Sequence, residues 1–245
     1  MTRIAIVGYG AMGRTIERLA PQADANVVAI CDIDDPFTTL VAAHADVAID
    51  FTLPHVVPDV VRVACESGTN LVIGTTGWYD RFDEVASMAT KAGIGLVYGT
   101  NFSVGVQMFF RLVRLAAQLA ERQSEYDVML HEWHHKRKKD SPSGTALTAA
   151  DLVLKQMSRK TRIITETSHD RIDAEALHVT STRGGEIVGK HVLTLDSAVD
   201  RIELTHDANN RDGFALGALR AARWINGRTG VYDFADIIDQ LETKP

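Results

Sequence analysis

The densest chemistry in this chain lies between Glu132 and Ala146, EWHHKRKKDSPSGTA. Two adjacent histidines, His134 and His135, precede the cation run Lys136 to Lys139, then Asp140 and a Ser143-Gly144-Thr145 turn. Imidazole titrates near neutral pH, so a histidine here can supply a proton. Ser143 suits the N-cap of a following helix, which leaves the Gly144 and Thr145 amides expected to be free. Such a positive helix end receives carboxylates, and a nearby lysine would clamp the same anion. The segment is equipped to protonate an anionic substrate.

Two other readings compete for it. His131-Glu132-Trp133-His134-His135 satisfies H-E-x-x-H, with His131 and His135 as zinc ligands and Glu132 as base. That site needs a helix to bring both histidines to one face. The preceding YDVML favours a strand, Pro142 and Gly144 follow closely, and no further H-x-x-G-x-x-H extension exists. No metal is expected. The cation run also reads as a solvated charged stretch, a description that fits Lys136, Arg137 and Lys139.

The elements that must position this segment begin at the N-terminus. Arg3 to Val7 reads as a strand, broken by Gly8-Tyr9-Gly10-Ala11-Met12-Gly13 and followed by a helical pattern through Ala20. Strand, G-x-G-x-x-G, helix is a dinucleotide fingerprint. Gly8 permits the turn, Gly10 admits the pyrophosphate, and Gly13 lets helix and strand pack. A second strand, Val27 to Cys31, ends in Asp32, where an acid would hold the ribose hydroxyls. Asp34 and Asp35 add negative charge and no cation follows until Arg62, so NADH is favoured, with NADPH possible. Strands Val47 to Phe51, Leu71 to Ile73 and Gly95 to Tyr98 alternate with helices Val56 to Ser67 and Asp83 to Ala92. This alternation implies a parallel sheet covered by helices. The tails TLP, GTTG and GTNFS follow successive strands, at the edge where such sheets bind ligands. Phe51, Thr52, Gly74, Thr75, Thr76, Thr100, Asn101 and Phe102 are therefore expected to line the cofactor with the glycine loop and Asp32.

After a helix from Val104 to Arg122 the pattern changes. Asp127 to Glu132, Thr161 to Thr165, Leu177 to Thr182, Ile187 to Leu195 and Arg201 to Thr205 read as strands, with a helix from about Thr145 to Met157. A mixed or antiparallel sheet follows from so few helices. Gly184-Gly185 reads as a turn flanked by Arg183 and His191. These two belong either to a substrate cleft or to a hairpin with exposed polar ends, and both readings stand. Phe214 to Ile225 and Asp233 to Leu241 read as helices that close back on the first domain. The fold class expected is α/β, a Rossmann-type parallel-sheet domain plus a smaller α+β domain. The boundaries are 1–103 for dinucleotide binding, 104–211 for substrate binding and assembly, and 212–245 for the returning helices.

Composition limits the partners. With 45% apolar and 24% charged residues among 245, the chain can build ordinary cores. A net charge of −6 argues against nucleic acid or an anionic membrane as partner, which sets the local cation run apart. Two cysteines without a CxxC, no signal-like start and no long apolar run suggest a cytoplasmic protein.

EWHHKRKKDSPSGTA resembles the signature E-x-H-H-x-x-K-x-D-x-P-S-G-T-A of the bacterial dihydrodipicolinate reductase (4-hydroxy-tetrahydrodipicolinate reductase) family at every fixed position. DFTLP, IGTTGW, NFSVGV, RGGEIVGKH, ELTHDANNRDGFALGALRAA and GVYDFADII resemble family blocks in family order. The resemblance implies that His134 is the general acid and Lys138 the second catalytic residue. His135, Lys138, Ser143, Gly144 and Thr145 would hold two substrate carboxylates, with Asn101 to Ser103 near a hinge. It further implies NAD(P)H-dependent reduction of a cyclic dicarboxylate in lysine and diaminopimelate synthesis, by a homotetramer whose two domains close on the reactants. One departure concerns the glycine loop. Many members have G-x-x-G-x-M-G with an arginine before the methionine, and GYGAMG lacks that arginine, which bears on the phosphate contacts. The rivals are an aspartate dehydrogenase, which the signature argues against, and a non-catalytic cofactor sensor, which would be expected to lose the histidine or the lysine.

Overall fold

Short runs of apolar residues become parallel strands in the N-terminal part because helices cover both faces of their sheet. The computed structural model describes residues 1–241. Its elements are, in order, β1 (Thr2–Val7), α1 (Ala11–Leu19), β2 (Ala25–Cys31), α2 (Thr39–Ala42), β3 (Val47–Asp50), α3 (Val57–Ser67), β4 (Asn70–Ile73), α4 (Phe82–Ala92) and β5 (Gly95–Tyr98). Then come α5 (Val104–Glu121), β6 (Asp127–His134), α6 (Gly144–Gln156), β7 (Arg162–Ile164), β8 (Ala176–Arg183), β9 (Lys190–Asp196), β10 (Arg201–Asp207), α7 (Asp212–Ile225), β11 (Gly230–Asp233) and α8 (Phe234–Ile237). Contacts divide the chain into two units: Met1–Val104 with the chain from Arg211, and Gly105–Asn210.

The first unit carries a six-stranded parallel sheet in the order β11-β5-β4-β3-β1-β2. β3 and β4 are buried at every position, as strands covered on both faces must be. One core packs β1, β3 and α7 together, and a second packs α3 and α4 on the other strand residues. The Rossmann-type expectation holds, with two local corrections. Asp233 to Leu241 is not one helix. Gly230–Asp233 pairs instead with β5 as an edge strand, Asp233 caps α8 by accepting from the Ala235 N–H at 2.8 Å, and a short 3₁₀ turn, Ile238–Gln240, follows. The expected segment 212–245 also runs past the described residues. The second correction is α2, a single turn capped by Thr38, too short to leave a periodic signal.

The second unit holds a mixed sheet, β10-β9-β6-β8-β7. β6 runs parallel to β8 and antiparallel to β9, with β7 parallel to β8 and β10 antiparallel to β9. One face packs on α5 and α6 through Val106, Phe110, Val113, Ala149, Val153 and their neighbours. The hairpin reading of Gly184-Gly185 is overturned: β8 and β9 lie on opposite sides of β6 and never pair.

Candidate active site

β6 changes character along its inward face. Val128 and Leu130 enter the core, and the next inward positions, two residues apart as the strand period requires, are Glu132 and His134. The core face of the strand thus becomes polar at its carboxyl end.

Glu132 is fully buried, and a lone carboxylate there would be strongly destabilising. Donors surround it instead. Oε1 accepts from the Ser143 backbone N–H and the Ser181 hydroxyl, each at 2.9 Å, and from the Arg183 guanidinium at 2.7 Å. Oε2 accepts from the Ser143 hydroxyl and lies 3.4 Å from His191 Nε2 and 3.3 Å from His134 Nδ1. Burial alone would raise this carboxyl, but hydrogen bonds from His191, Ser143 and Arg183 outweigh it and hold Glu132 far below the usual carboxylate range. It is an anion at any ordinary pH. Strand register delivers the partners: Arg183 stands opposite His134 on β8, and His191 opposite Glu132 on β9.

His134 is buried beside His191, with ring centroids 5.2 Å apart. Burial pushes its imidazole down to about 4; Glu132 opposes this, while His191, Lys138 and Arg183 add to it. His134 is therefore neutral at pH 7. A Cβ on Gly189 would fall 2.9 Å from His134 Nε2, so glycine is what lets the backbone pack this close to that atom.

Lys138 is half-buried, with Nζ 2.8 Å from Asp140 Oδ1. His135 lies just beyond β6 and donates its N–H to the Ile187 carbonyl at 2.7 Å. Lys136, Arg137 and Lys139 are exposed, and Arg137 pairs with Glu186 on the surface. Ser143 is the N-cap of α6: its hydroxyl accepts from the Ala146 N–H at 3.2 Å. Gly144 is exposed with open space around its Cα, and Thr145 is half-buried in the first turn. His131 turns to the opposite face of β6, where it meets Thr180 and Thr182 and packs against the Trp133 ring at a 60° tilt. As a strand, β6 cannot present His131 and His135 in the H-E-x-x-H arrangement.

In the first unit, Gly8 has φ +92° and gives its N–H to the Cys31 carbonyl at 2.8 Å. A Cβ there would fall 2.5 Å from the Phe51 carbonyl oxygen, and one on Gly13 would fall 2.4 Å from the Gly8 oxygen. Gly8 and Gly13 are therefore steric requirements, whereas a Cβ on Gly10 would meet nothing within 4 Å. Gly10 is the exposed N-cap of α1, Ala11 its exposed first residue, and Met12 is half-buried. Tyr9 bonds Glu17 and carries the Arg14 guanidinium 4.5 Å above its ring. Asp32 is exposed just past β2. Because the strands are parallel, the tails after β3, β4 and β5 share one edge. There Phe51, Thr52 and Gly74 are half-buried, Thr75, Asn101 and Phe102 buried, and Thr76 and Thr100 exposed. Asn101 Oδ1 accepts from the Ser103 N–H at 2.9 Å and shapes the last tail. The strand order reverses at β1, flanked by β2 and β3, the position where open parallel sheets bind nucleotides.

Comparison with known proteins decides the family. Residues 2–102 match the model described as dihydrodipicolinate reductase, N-terminus, and residues 105–238 match dihydrodipicolinate reductase, C-terminus. The chain belongs to the dihydrodipicolinate reductase family. A family member from Christiangramia forsetii, named 4-hydroxy-tetrahydrodipicolinate reductase, is 35% identical over 97% of this chain and 98% of its own length. One of the same name from Myxococcus xanthus is 39% identical over 86% of this chain and 79% of its own length. Among solved structures, the dipicolinate-bound dihydrodipicolinate reductase from Paenisporosarcina sp. TG-14 has the same fold, with a TM-score of 0.77 at 22% identity, covering 97% of this chain and 99% of that one. No described helix of this reductase-family chain is long and apolar enough to cross a membrane.

Several groups of this reductase-family chain escaped the sequence reading. Glu132 appeared there only as a base in a rejected zinc site; the signal available was its inward phase with Val128, Leu130 and His134. Asp50, at the carboxyl end of β3, is fully buried, accepts from the Thr52 hydroxyl at 2.6 Å and leaves Oδ2 without a hydrogen bond. Burial pushes its carboxyl up to about 6, only partly offset by hydrogen bonds from its neighbours. The folded state thus favours the protonated form. Its contribution is fully present below the unfolded value near 4 and is lost as pH rises through about 6. Asp50→Asn is expected to stabilise the protein by about 2–3 kcal/mol near pH 8 and by nothing near pH 3.5, as read from denaturant midpoints. An equal effect at both pH values would refute the burial account.

Proposed function

We propose that this chain transfers a hydride from a reduced nicotinamide to 4-hydroxy-tetrahydrodipicolinate (dihydrodipicolinate), yielding tetrahydrodipicolinate for diaminopimelate and lysine synthesis. The observation that carries the reading is the meeting, around one buried carboxylate, of His134 and the capped start of α6, with the Lys138 charge close enough to act on His134. This pairs a proton source with an anion-binding end, which suits the reductases whose names the curated relatives bear.

In this reading residues 1–103 bind the dinucleotide, 104–211 bind substrate and mediate assembly, and 212–245 complete the first domain. The glycine loop from Gly8 to Gly13 receives the pyrophosphate at the α1 N-terminus. Asp32 holds the ribose hydroxyls, and Phe51, Thr52, Gly74, Thr75, Thr76, Thr100, Asn101 and Phe102 line the nicotinamide side. Lys138, His135, Gly144 and Thr145 neutralise the two carboxylates, which would otherwise repel the electron-rich hydride donor, while Ser143, its N–H and hydroxyl both bonded to Glu132, holds the helix end that receives them. His134 protonates the ring position made electron-rich by hydride addition. The chemistry uses no metal. Glu132, His134 and His191 lie close enough to suggest a cation site, but the carboxylate is already occupied by Arg183, Ser143 and Ser181. The open sheet face bearing Met129, His131 and Trp133 is the surface a cytoplasmic homotetramer would cover.

The test is loss of nicotinamide absorbance with substrate made in situ from pyruvate and aspartate semialdehyde, with NADH and NADPH in parallel. Oxidation faster with NADH is expected, because Asp32, Asp34 and Asp35 would repel a 2′-phosphate, and Asp32→Ser should narrow the gap about tenfold. Tight NADH binding without oxidation of either cofactor would instead favour a sensor.

A further inference from the structure

We propose that Glu132 is a positioning residue of the proton-transfer step: it fixes His134 as the Nδ1–H tautomer, makes Nε2 the atom that delivers the proton, and ties that ring to the helix start that receives the substrate. The inference rests on the reading of His134 as general acid.

The hydrogen-bond inventory around Glu132 assigns the protons. The Ser143 hydroxyl gives its one proton to Oε2, and its oxygen accepts from the Ala146 N–H at 3.2 Å, with His191 Nε2 also 3.2 Å away. That nitrogen faces two oxygens, so it must carry hydrogen. His134 Nδ1 lies 3.3 Å from Oε2, buried and without a hydrogen bond. A lone pair this close to the anion would be repelled, whereas an N–H would be attracted. Both histidines therefore turn protonated nitrogens towards one carboxylate, and His134 Nε2 remains on the other side of its ring, beside Gly189. Ser143 links this acid to the α6 N-terminus: its backbone N–H bonds Oε1 and its hydroxyl bonds Oε2 of the same side chain.

The step balances. The dihydronicotinamide C–H bond breaks and its hydride forms a C–H bond on the substrate ring. The displaced π pair takes the Nε2 proton from the His134 imidazolium. Oxidised nicotinamide, the reduced ring and neutral Nδ1–H imidazole remain. The charged or titratable groups facing His134 are Glu132 on its own strand, Arg183 on β8, His191 on β9 and Lys138 in the loop. Only Glu132 favours the imidazolium.

The test compares Glu132→Gln, His134→Gln and the double variant in the full chain. Glutamine can keep its carbonyl towards Ser143 and Arg183, but it would then present an NH₂ to His134 Nδ1 and invert the tautomer. We expect Glu132→Gln to lower kcat about 100-fold with unchanged KM for NADH, and the alkaline limb of the pH profile, where the general acid loses its proton, to move to lower pH. The double variant should be no slower than His134→Gln alone, because Glu132 acts through His134. A double variant slower by the product of the single effects would overturn the proposal, as would Glu132→Gln with unchanged kcat and pH profile. If His134→Gln itself turns over normally, the general-acid reading falls and takes this one with it. The unmodified protein provides a measurement that does not depend on the variants folding. Imidazole ¹⁵N spectra with dipicolinate absent should show His134 protonated at Nδ1, and a proton at Nε2 would refute the assignment.

Discussion

Lys138→Ala is expected to lower kcat/KM for the dicarboxylate substrate by about 10³-fold, the scale on which removing one preorganised charge acts in a water-excluded site. Lys138 is paired with Asp140 at 2.8 Å. Alanine would remove the cation and leave the Asp140 carboxylate unopposed, so the substrate would meet repulsion in place of attraction. NADH affinity, followed by fluorescence, should be unchanged, because the glycine loop belongs to the other unit. Lys138→Arg should recover part of the loss, since charge is kept while geometry changes. A decrease of less than tenfold for Lys138→Ala would show that the α6 N-terminus alone binds the anion.

Dipicolinate binding should draw in close to one proton per site near neutral pH. The His134 imidazole is pushed down to about 4, chiefly by burial. A dianion beside it favours the charged ring, so its value rises in the complex. Affinity should then be weak and level above the bound-state value, climb tenfold per pH unit as pH falls below it, and level again below about 4. Calorimetry in buffers of different ionisation heats reads the uptake directly. His134→Gln should abolish it and reduce kcat by about 10²–10³-fold. Uptake that persists in that variant would assign the proton to His135 or His191 instead.

Much of this was legible in the sequence because the decisive residues are close along the chain. The strand-glycine-helix opening and the mostly apolar β3 and β4 identify a covered parallel sheet. The HHKRKKDSPSGT run contains its own cap signal, and Ser143 does cap α6. The hidden parts depend on distant pairing. Glu132 meets its donors across 11, 49 and 51 positions, at Ser143, Ser181 and Arg183. Gly184-Gly185 suggested a hairpin because a turn is a local feature, whereas the insertion of β6 between β8 and β9 is not. β11 is only four residues long, and the edge of β5 makes it a strand.

The placement of β6 between a parallel and an antiparallel neighbour has a consequence for tolerance to insertion. Arg183 and His191 reach Glu132 only because both strands hold their register against β6. A one-residue slip in either would turn every side chain on it to the other face. The guanidinium or the imidazole would then leave the carboxylate, while apolar core positions turned outward. Misalignment would therefore damage stability and chemistry together. Lengthening the exposed Gly185-Glu186-Ile187 turn disturbs neither ladder. A library that varies that turn and leaves β8 and β9 intact could change the rim of the site without dismantling its centre.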